Sequence, residues 1–427
     1  VTLTMAQGNG RLYNASVLAS EGVGTFNNVT YVASSDGESL ILEVNDDDGN
    51  GSDLPRVSAN VLLSDIIATQ LAFDTQPAGS VSGAVLSIQP IVKALNDSGQ
   101  VDIEFGDVVR LSEDRAGILH NNETPAVSGV ATFSQVIYSA SSDGEVVTLS
   151  VDDSSGGSEG DLGVVFADAF VCDVVATHLQ FTQQPSGSIS GQALLEQPVV
   201  TAFNDSGLVD TDFTEVVALS SNIGSVSNNA ISAVAGVATF ENVALGVTLD
   251  QQTVTLVADD EPGGLEGDLA PVGAISLASD VVATELIYLV QPAGSVSGQA
   301  LTTQPVVVAV NAQGLIDINF TETISLVVDG AGSLTQASIT AVAGIATFSQ
   351  LVYEGNGQAQ PFQLVASGGN LPRVSSESIS SRVIATQLVF TIQPAGSISG
   401  FPLLVQPIVE ARDSLGQIDR SFSETLT

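Results

Sequence analysis

The side chains with most chemical potential in this sequence are its carboxylates. Forty-eight Asp plus Glu stand against nine Lys plus Arg, a formal charge of -39. Two stretches set acids in the same order, Asp152, Asp153, Glu159 and Asp161, then Asp259, Asp260, Glu266 and Asp268. Carboxylates packed this closely raise one another's cost of ionisation unless a cation sits among them. Calcium, with about six to eight oxygen ligands, suits such clusters. The fragment Asp46-x-Asp48-x-Asn50-Gly51 matches the first half of a calcium loop, but Val57 stands where its closing Glu would be.

Other chemistry is scarce. His120 and His178 are the only histidines and there is no tryptophan. His178 is replaced by Gln70, Glu285 and Gln387 in related segments, which marks an exposed strand position, and His120 is expected in a loop of Asn, Glu and Thr. Without a recurring base beside a recurring nucleophile no catalytic triad can be argued, and no enzyme is expected. Cys172 is alone, so no intrachain disulfide and no cysteine-based zinc site can form. The net charge repels phosphate backbones and anionic lipid, so nucleic acid is not an expected partner. The longest apolar stretches, such as 163–170, fall well short of the roughly 18 residues of a membrane span. Asparagine sequons stand at Asn14, Asn28, Asn50, Asn96, Asn122, Asn204 and Asn319, several of them in turns that favour Asn anyway.

What positions these residues is a repeat. Ala68-Thr-Gln-Leu-Ala-Phe returns at Ala176, Ala283 and Ala385, at intervals of 108, 107 and 102 residues. Two Gln-Pro pairs follow each start with their prolines 13 apart, from Pro77 and Pro90 to Pro394 and Pro407, and a segment ending in Thr-Phe recurs at Phe26, Phe133, Phe240 and Phe348. The chain therefore divides at 1–67, 68–175, 176–282, 283–384 and 385–427, three whole repeats between two partial ones. It is expected to be a window from a longer array, with any targeting signal outside it. The other arrangement, in which the tail of one copy completes the head of the next, stays open.

Within a period the pattern is strand-like, alternating apolar and polar with turn residues every 8 to 12 positions. In the repeat from Ala176, strands are expected at 177–183, 193–203, 213–220, 225–233, 237–243, 253–258 and 274–281, with Phe181, Phe213 and Phe240 as core anchors. Seven short strands in about 106 residues give an all-β, immunoglobulin-like β-sandwich, and the near absence of linkers makes a tandem array of them. Proline cannot donate to a central ladder, so the first Gln-Pro pair should end a strand or move it between sheets.

In such a sandwich the loops after the second, fourth and sixth strands emerge beside the end of the preceding domain. For the repeat from Ala68 this end collects Asp97, Asp102, Asp152, Asp153, Glu159 and Asp161, with Asp65 from the junction. For the next it collects Asp205, Asp210, Asp259, Asp260, Glu266 and Asp268, with Asp173. Asp161 and Asp173, like Asp53 and Asp65 or Asp268 and Asp280, lie 12 apart across a strand that separates them by roughly 30 Å, so they cannot share an ion inside one domain.

The Ala-Thr-x-Leu-x-Phe opening, the Gln-Pro-Ala-Gly-Ser-[Val/Ile]-Ser-Gly loop, the Asn-Asp-Ser-Gly turn and the Gly-Val-Ala-Thr-Phe strand resemble the tandem Ig-like repeats of very large bacterial surface adhesins and extracellular filament proteins. The resemblance implies an extracellular, cell-surface structural shaft that holds an adhesive tip away from the cell. The alternative is a calcium-dependent adhesin whose repeats themselves bind glycans or partner cells. Some related adhesins crosslink each domain through a lysine; here Lys93 is the only one, so a crosslink in every repeat is impossible. With 13% charged residues and a mean hydropathy of +0.34, some apolar side chains should remain outside the cores, and copies of the chain are expected to associate in a parallel fibre or bundle.

Overall fold

The structure is a computed structural model that describes residues 1–46, 54–153, 157, 160–260, 267–355 and 357–427. Among these residues the chain forms strands and no helix, and no helix long and apolar enough to cross a membrane is present.

The repeat beginning at Ala176 represents the others. Its strands are β1 (His178–Gln183), β2 (Ser188–Ile189), β3 (Val199–Phe203), β4 (Val216–Ser221), β5 (Ser225–Ser227), β6 (Ala230–Ser232), β7 (Val237–Thr239), β8 (Ala244–Gly246), β9 (Gln252–Val254), β10 (Leu256–Asp260), β11 (Val272–Gly273) and β12 (Leu277–Asp280). One sheet is β1-β3-β7; the other face is built from β6-β4-β10-β11 and β2-β12-β9, with β5 and β8 as a separate ribbon. The chain changes sheets at Gln184-Pro185: β1 pairs antiparallel with β3, while β2 pairs parallel with β12. Proline's missing N–H makes it a suitable corner.

Twelve short strands replace the seven expected, for local reasons. Asn228 and Asn242 adopt left-handed φ values of 52° and 57°, which Asn tolerates better than most residues and which interrupt the pleat. The expected strand at 225–233 becomes β5 and β6, and that at 237–243 ends at Thr239. Between β9 and β10 the Thr255 amide donates to Asn222 Oδ1 at 2.8 Å and so leaves the ladder.

Alternation on the strands delivers the core. Phe213, Phe240, Leu219, Leu245, Leu256 and Val243 are at most 2% exposed, and the clusters from Ala68 to Cys172 and from Leu286 to Ile379 repeat the arrangement. The recurring glutamines are clamps. Gln197 Nε2 donates to the carbonyls of Leu194 and Val243 while its Oε1 accepts from Val243 N, and Gln89 and Gln304 do the same one period away. Gln76, Gln184 and Gln291, each before the first proline, accept from Asp168 N, Ile275 N and Glu377 N and tie the sheet-changing corner to the opposite edge.

The accessible surface is 22,560 Å². One compact body of this mass would expose about 15,300 Å², and four bodies of a quarter of the mass about 22,300 Å². The three whole repeats bury separate core clusters.

Candidate functional site

The acids expected together at one end of each repeat fall into two structural settings.

The first is the junction. Asp143 lies in the turn just before the strand Glu145–Val147. Its Oδ1 accepts from Val174 N at 2.7 Å, in the link to the next repeat, and its Oδ2 accepts from Thr211 N at 2.9 Å and Thr211 Oγ1 at 2.5 Å, inside that repeat. Asp36 treats Ile66 N and Ile103 N in the same way, and Asp250 treats Val281 N and Ile318 N likewise, all between 2.6 and 2.9 Å. At the fourth junction Gln358 Oε1 accepts from Val383 N at 2.7 Å. The residue after each of these is left-handed, Gly37, Gly144, Gln251 and Ala359, with φ of 54–62° for the first, third and fourth and 64° for Gly144. Asp36, Asp143 and Asp250 stand one period apart beside Gly or Gln, a recurrence that was visible in the sequence but was not read.

The acids expected at the junction have other roles. Asp102 Oδ2 accepts from Ala68 N and its Oδ1 from Glu104 N and Phe105 N. Asp210, fully buried, does the same for Ala176 N, Asp212 N and Phe213 N, as Asp317 and Asp419 do for Ala283 N and Ala385 N. Asp97 and Asp205 accept from Thr69 Oγ1 and Thr177 Oγ1, each at 2.6 Å. Asp97, Asp102 and Asp205 therefore tie their loops to the start of their own repeat and join no acidic cluster among the described residues, and neither does the exposed Asp65.

Asp210 alone of these enters a cluster, with Asp143 and Asp212, whose carboxylate oxygens lie within 4.8 Å of one another. Burial, and then the neighbouring Asp212, push the Asp210 carboxyl up to about 7. Asp173 is also raised, by burial and then by Asp212 and Asp143. For Asp143 burial acts upward too, but the bonds from Thr211, Val174 and Gly144 outweigh it and hold its pKa below the ordinary carboxylate value. At the next junction the chemistry differs, because Asp280 Oδ1 accepts from Gln251 Nε2 at 2.6 Å and Asn319 Nδ2 at 3.0 Å.

The second setting is the far end of β10 and its equivalents. Asp152, Asp153 and Asp161 form one cluster, and Asp259, Asp260 and Asp268 form another, each with ligand oxygens within 4.8 Å of one another. Oxygens around one calcium ion, each 2.3–2.6 Å from it, are separated by up to about 5 Å, so either set could hold a metal ion. The two clusters occupy one register: Asp152 pairs with Arg110 and Asp259 with Ala218 on the adjoining strand. Leu162 N donates to Asp153 Oδ1 at 3.0 Å and Leu269 N to Asp260 Oδ1 at 3.1 Å, which fixes where the loop returns. Glu159, Glu266, Asp53, and Asp48, Asn50 and Gly51 of the half calcium loop lie outside the described residues.

Among the sequons, Asn204 is buried and its Oδ1 accepts from Ser206 N and Leu208 N, committing it to its turn. The amides of Asn14, Asn96, Asn122 and Asn319 donate to Asn28 O, Gln100 Oε1, Leu111 O and Asp280 Oδ1. Asn28 is exposed. His178 stacks on Phe203 with ring centroids 6.2 Å apart, and His120 is the last residue of a strand rather than part of a loop.

No protein-family model and no curated protein matches the chain. Similar solved structures include invasin, a bacterial integrin-binding protein, at 14% identity over 78% of this chain and 64% of that one, with a TM-score of 0.34. The FN1–FN3 domains of chicken CNTN1 align at 8% identity over 72% and 98%, TM-score 0.29. Domains 1–6 of the surface layer protein SbsC align at 14% over 98% and 53%, TM-score 0.23. At these scores the likenesses add nothing to the fold described above.

Proposed function

We propose that this chain is a non-enzymatic structural segment of an extracellular, cell-surface filament or appendage, a shaft that sets distance between the cell and what it attaches to. The observation that carries this reading is the junction carboxylate. Asp36, Asp143 and Asp250 each join the link and the following repeat through two oxygens of one side chain, so successive repeats meet in the same way. A carboxylate of one repeat that accepts from a backbone amide of the short link and from another of the following repeat resists bending there, and nearest-neighbour contacts of this kind extend an array without a shared core. Calcium is the cation the acidic clusters suit. Small-angle scattering tests the shaft. The intact chain should scatter as a stiff rod, and Asp36→Ala, Asp143→Ala and Asp250→Ala together should shorten its persistence. Scattering from a flexible string of beads in the unsubstituted chain would sink the reading.

Side-by-side association of parallel copies belongs to the same proposal and is favoured by one surface feature. Val127, Val234 and Val342 recur at one turn of each repeat and are 72–76% exposed. Solvated valines recurring once per period are matched by the same valines on an in-register neighbour. Fibre width in the electron microscope decides it, since a thread only one sandwich wide would exclude lateral assembly.

A further inference from the structure

We infer that the repeats from Ala68 and Ala176 each carry a divalent-cation site of their own, inside the repeat, formed by Asp152, Asp153 and Asp161 in one and by Asp259, Asp260, Asp268 and Glu215 in the other. This rests on the calcium reading above and gives it a place and a ligand set.

Proximity of acids alone would not carry the inference; the orphaned oxygens do. Asp153 is 6% exposed, and while its Oδ1 accepts from Leu162 N, its Oδ2 has no hydrogen-bond partner among the described residues. Among the described residues, buried oxygens without a donor are Asp107 Oδ2, Asp152 Oδ1 and Asp153 Oδ2 in the first repeat, and Glu215 Oε1, Glu215 Oε2 and Asp259 Oδ1 in the second. Buried polar atoms in native proteins are almost always satisfied, by a partner, a water or an ion. Asp107 and Glu215 hold the same position, directly before the strands Val108–Glu113 and β4, and Glu215 stands against Asp260. Asp107 is approached by Gly157 of the loop so closely that a Cβ there would meet its Oδ2 at 1.4 Å.

Carboxylates without donors are acceptors only, so water could satisfy single oxygens but would leave the mutual repulsion of three or four charges in place. A cation removes both costs. An all-oxygen set contributed by a strand end and a returning loop, joined in the second repeat by the strand-start Glu215, is calcium chemistry rather than that of zinc or copper. The third whole repeat supplies an internal control, since Ser367 and Gly368 replace Asp259 and Asp260 at the matching ladder positions. The inferred ion pins the end of a central strand to the loop that returns from it and, in the second repeat, to the start of β4 beside it.

Isothermal titration of the 427-residue chain with calcium chloride at neutral pH tests this. The expected stoichiometry includes two ions that Asp153→Asn and Asp260→Asn remove one at a time. Asn keeps an oxygen for Leu162 N or Leu269 N while dropping the charge. Asp161→Asn and Asp268→Asn, at exposed loop positions, should each weaken one site about tenfold or more through ligand charge, with unchanged circular dichroism. Full stoichiometry and affinity in all four variants would overturn the intra-repeat site while leaving calcium at the junctions. No calcium binding to the unsubstituted chain would overturn both.

Discussion

Asp143 is held by amides from three parts of the chain, and its charge is what makes those bonds strong. Hydrogen bonds to a charged group contribute about 1.5–3 kcal/mol each, so Asp143→Ala should cost about 2–4 kcal/mol in the unfolding of the adjoining repeats, and Asp143→Asn less. Chemical denaturation followed by amide exchange at Val174 and Thr211 checks this. The pH response at this junction has two signs. Asp143 has a lowered pKa in the folded state, so its contribution is present above the ordinary Asp value and is lost as pH falls through the folded one. Asp210, raised to about 7 by burial and by Asp212, does the reverse. Between the ordinary Asp value and about 7 the folded chain binds the extra proton, so stability falls as pH rises through that window. In chelator, the repeat from Ala176 should melt highest in mildly acidic solution, and Asp212→Asn should flatten the rise. A melting temperature indifferent to pH from 4 to 7, in steps of about one unit, would contradict the assignment.

At the scale of strands, what the sequence made legible and what it hid divide along a physical line. Alternation of apolar and polar residues reports which face is buried, so Phe181, Phe213 and Phe240 were readable as core, and they are 6%, 0% and 2% exposed. Breaks within strands depend on single φ values and on side chains that capture an amide, such as Asn222 on Thr255, and these leave no periodic trace. The clamping role of Gln197 was hidden for the same reason, because its partner Val243 lies 46 residues away. The cores are separate, so damage should stay local. Phe213→Ala should cost about 3–5 kcal/mol and appear as one early thermal transition, with the other repeats melting as before. Loss of every transition together would mean that the repeats fold as one unit.

Over the whole molecule, acids that topology gathers at one end are divided by what their oxygens touch. Asp97, Asp102 and Asp205 are engaged by Thr69, Ala68 and Thr177 at the start of their repeats, whereas Asp152, Asp153 and Asp161 face one another; composition and spacing cannot distinguish the two, because hydrogen-bond partners are set by the tertiary fold. The same distinction grades the junctions. Asp280 is held by two side-chain amides, while Asp173 faces Asp212 and Asp143. Cations should therefore stiffen the junction at Asp173 more than that at Asp280. Amide exchange of Val174 and Val281 in the full chain, with and without calcium, measures it. Equal protection at both would show that the Gln251 and Asn319 amides have no such effect.

Cys172 takes on a further meaning from where it sits. It is fully buried and accepts from Ser80 Oγ at 3.1 Å, on the seam where the following repeats pair Ser188 with Ser279 and Ser295 with Ser381. That seam is a short parallel pairing of two residues on each side, Ser80–Val81 against Cys172–Asp173, a small contact by which the end of the repeat is held to its beginning. The molecule thus contains one thiol, hidden where a pull along the chain would act. A maleimide dye should leave the relaxed protein unlabelled and mark it once per chain under flow or stretching, making the native cysteine a gauge of mechanical load. Equal labelling at rest and under tension would show that this seam stays shut while the chain bears force.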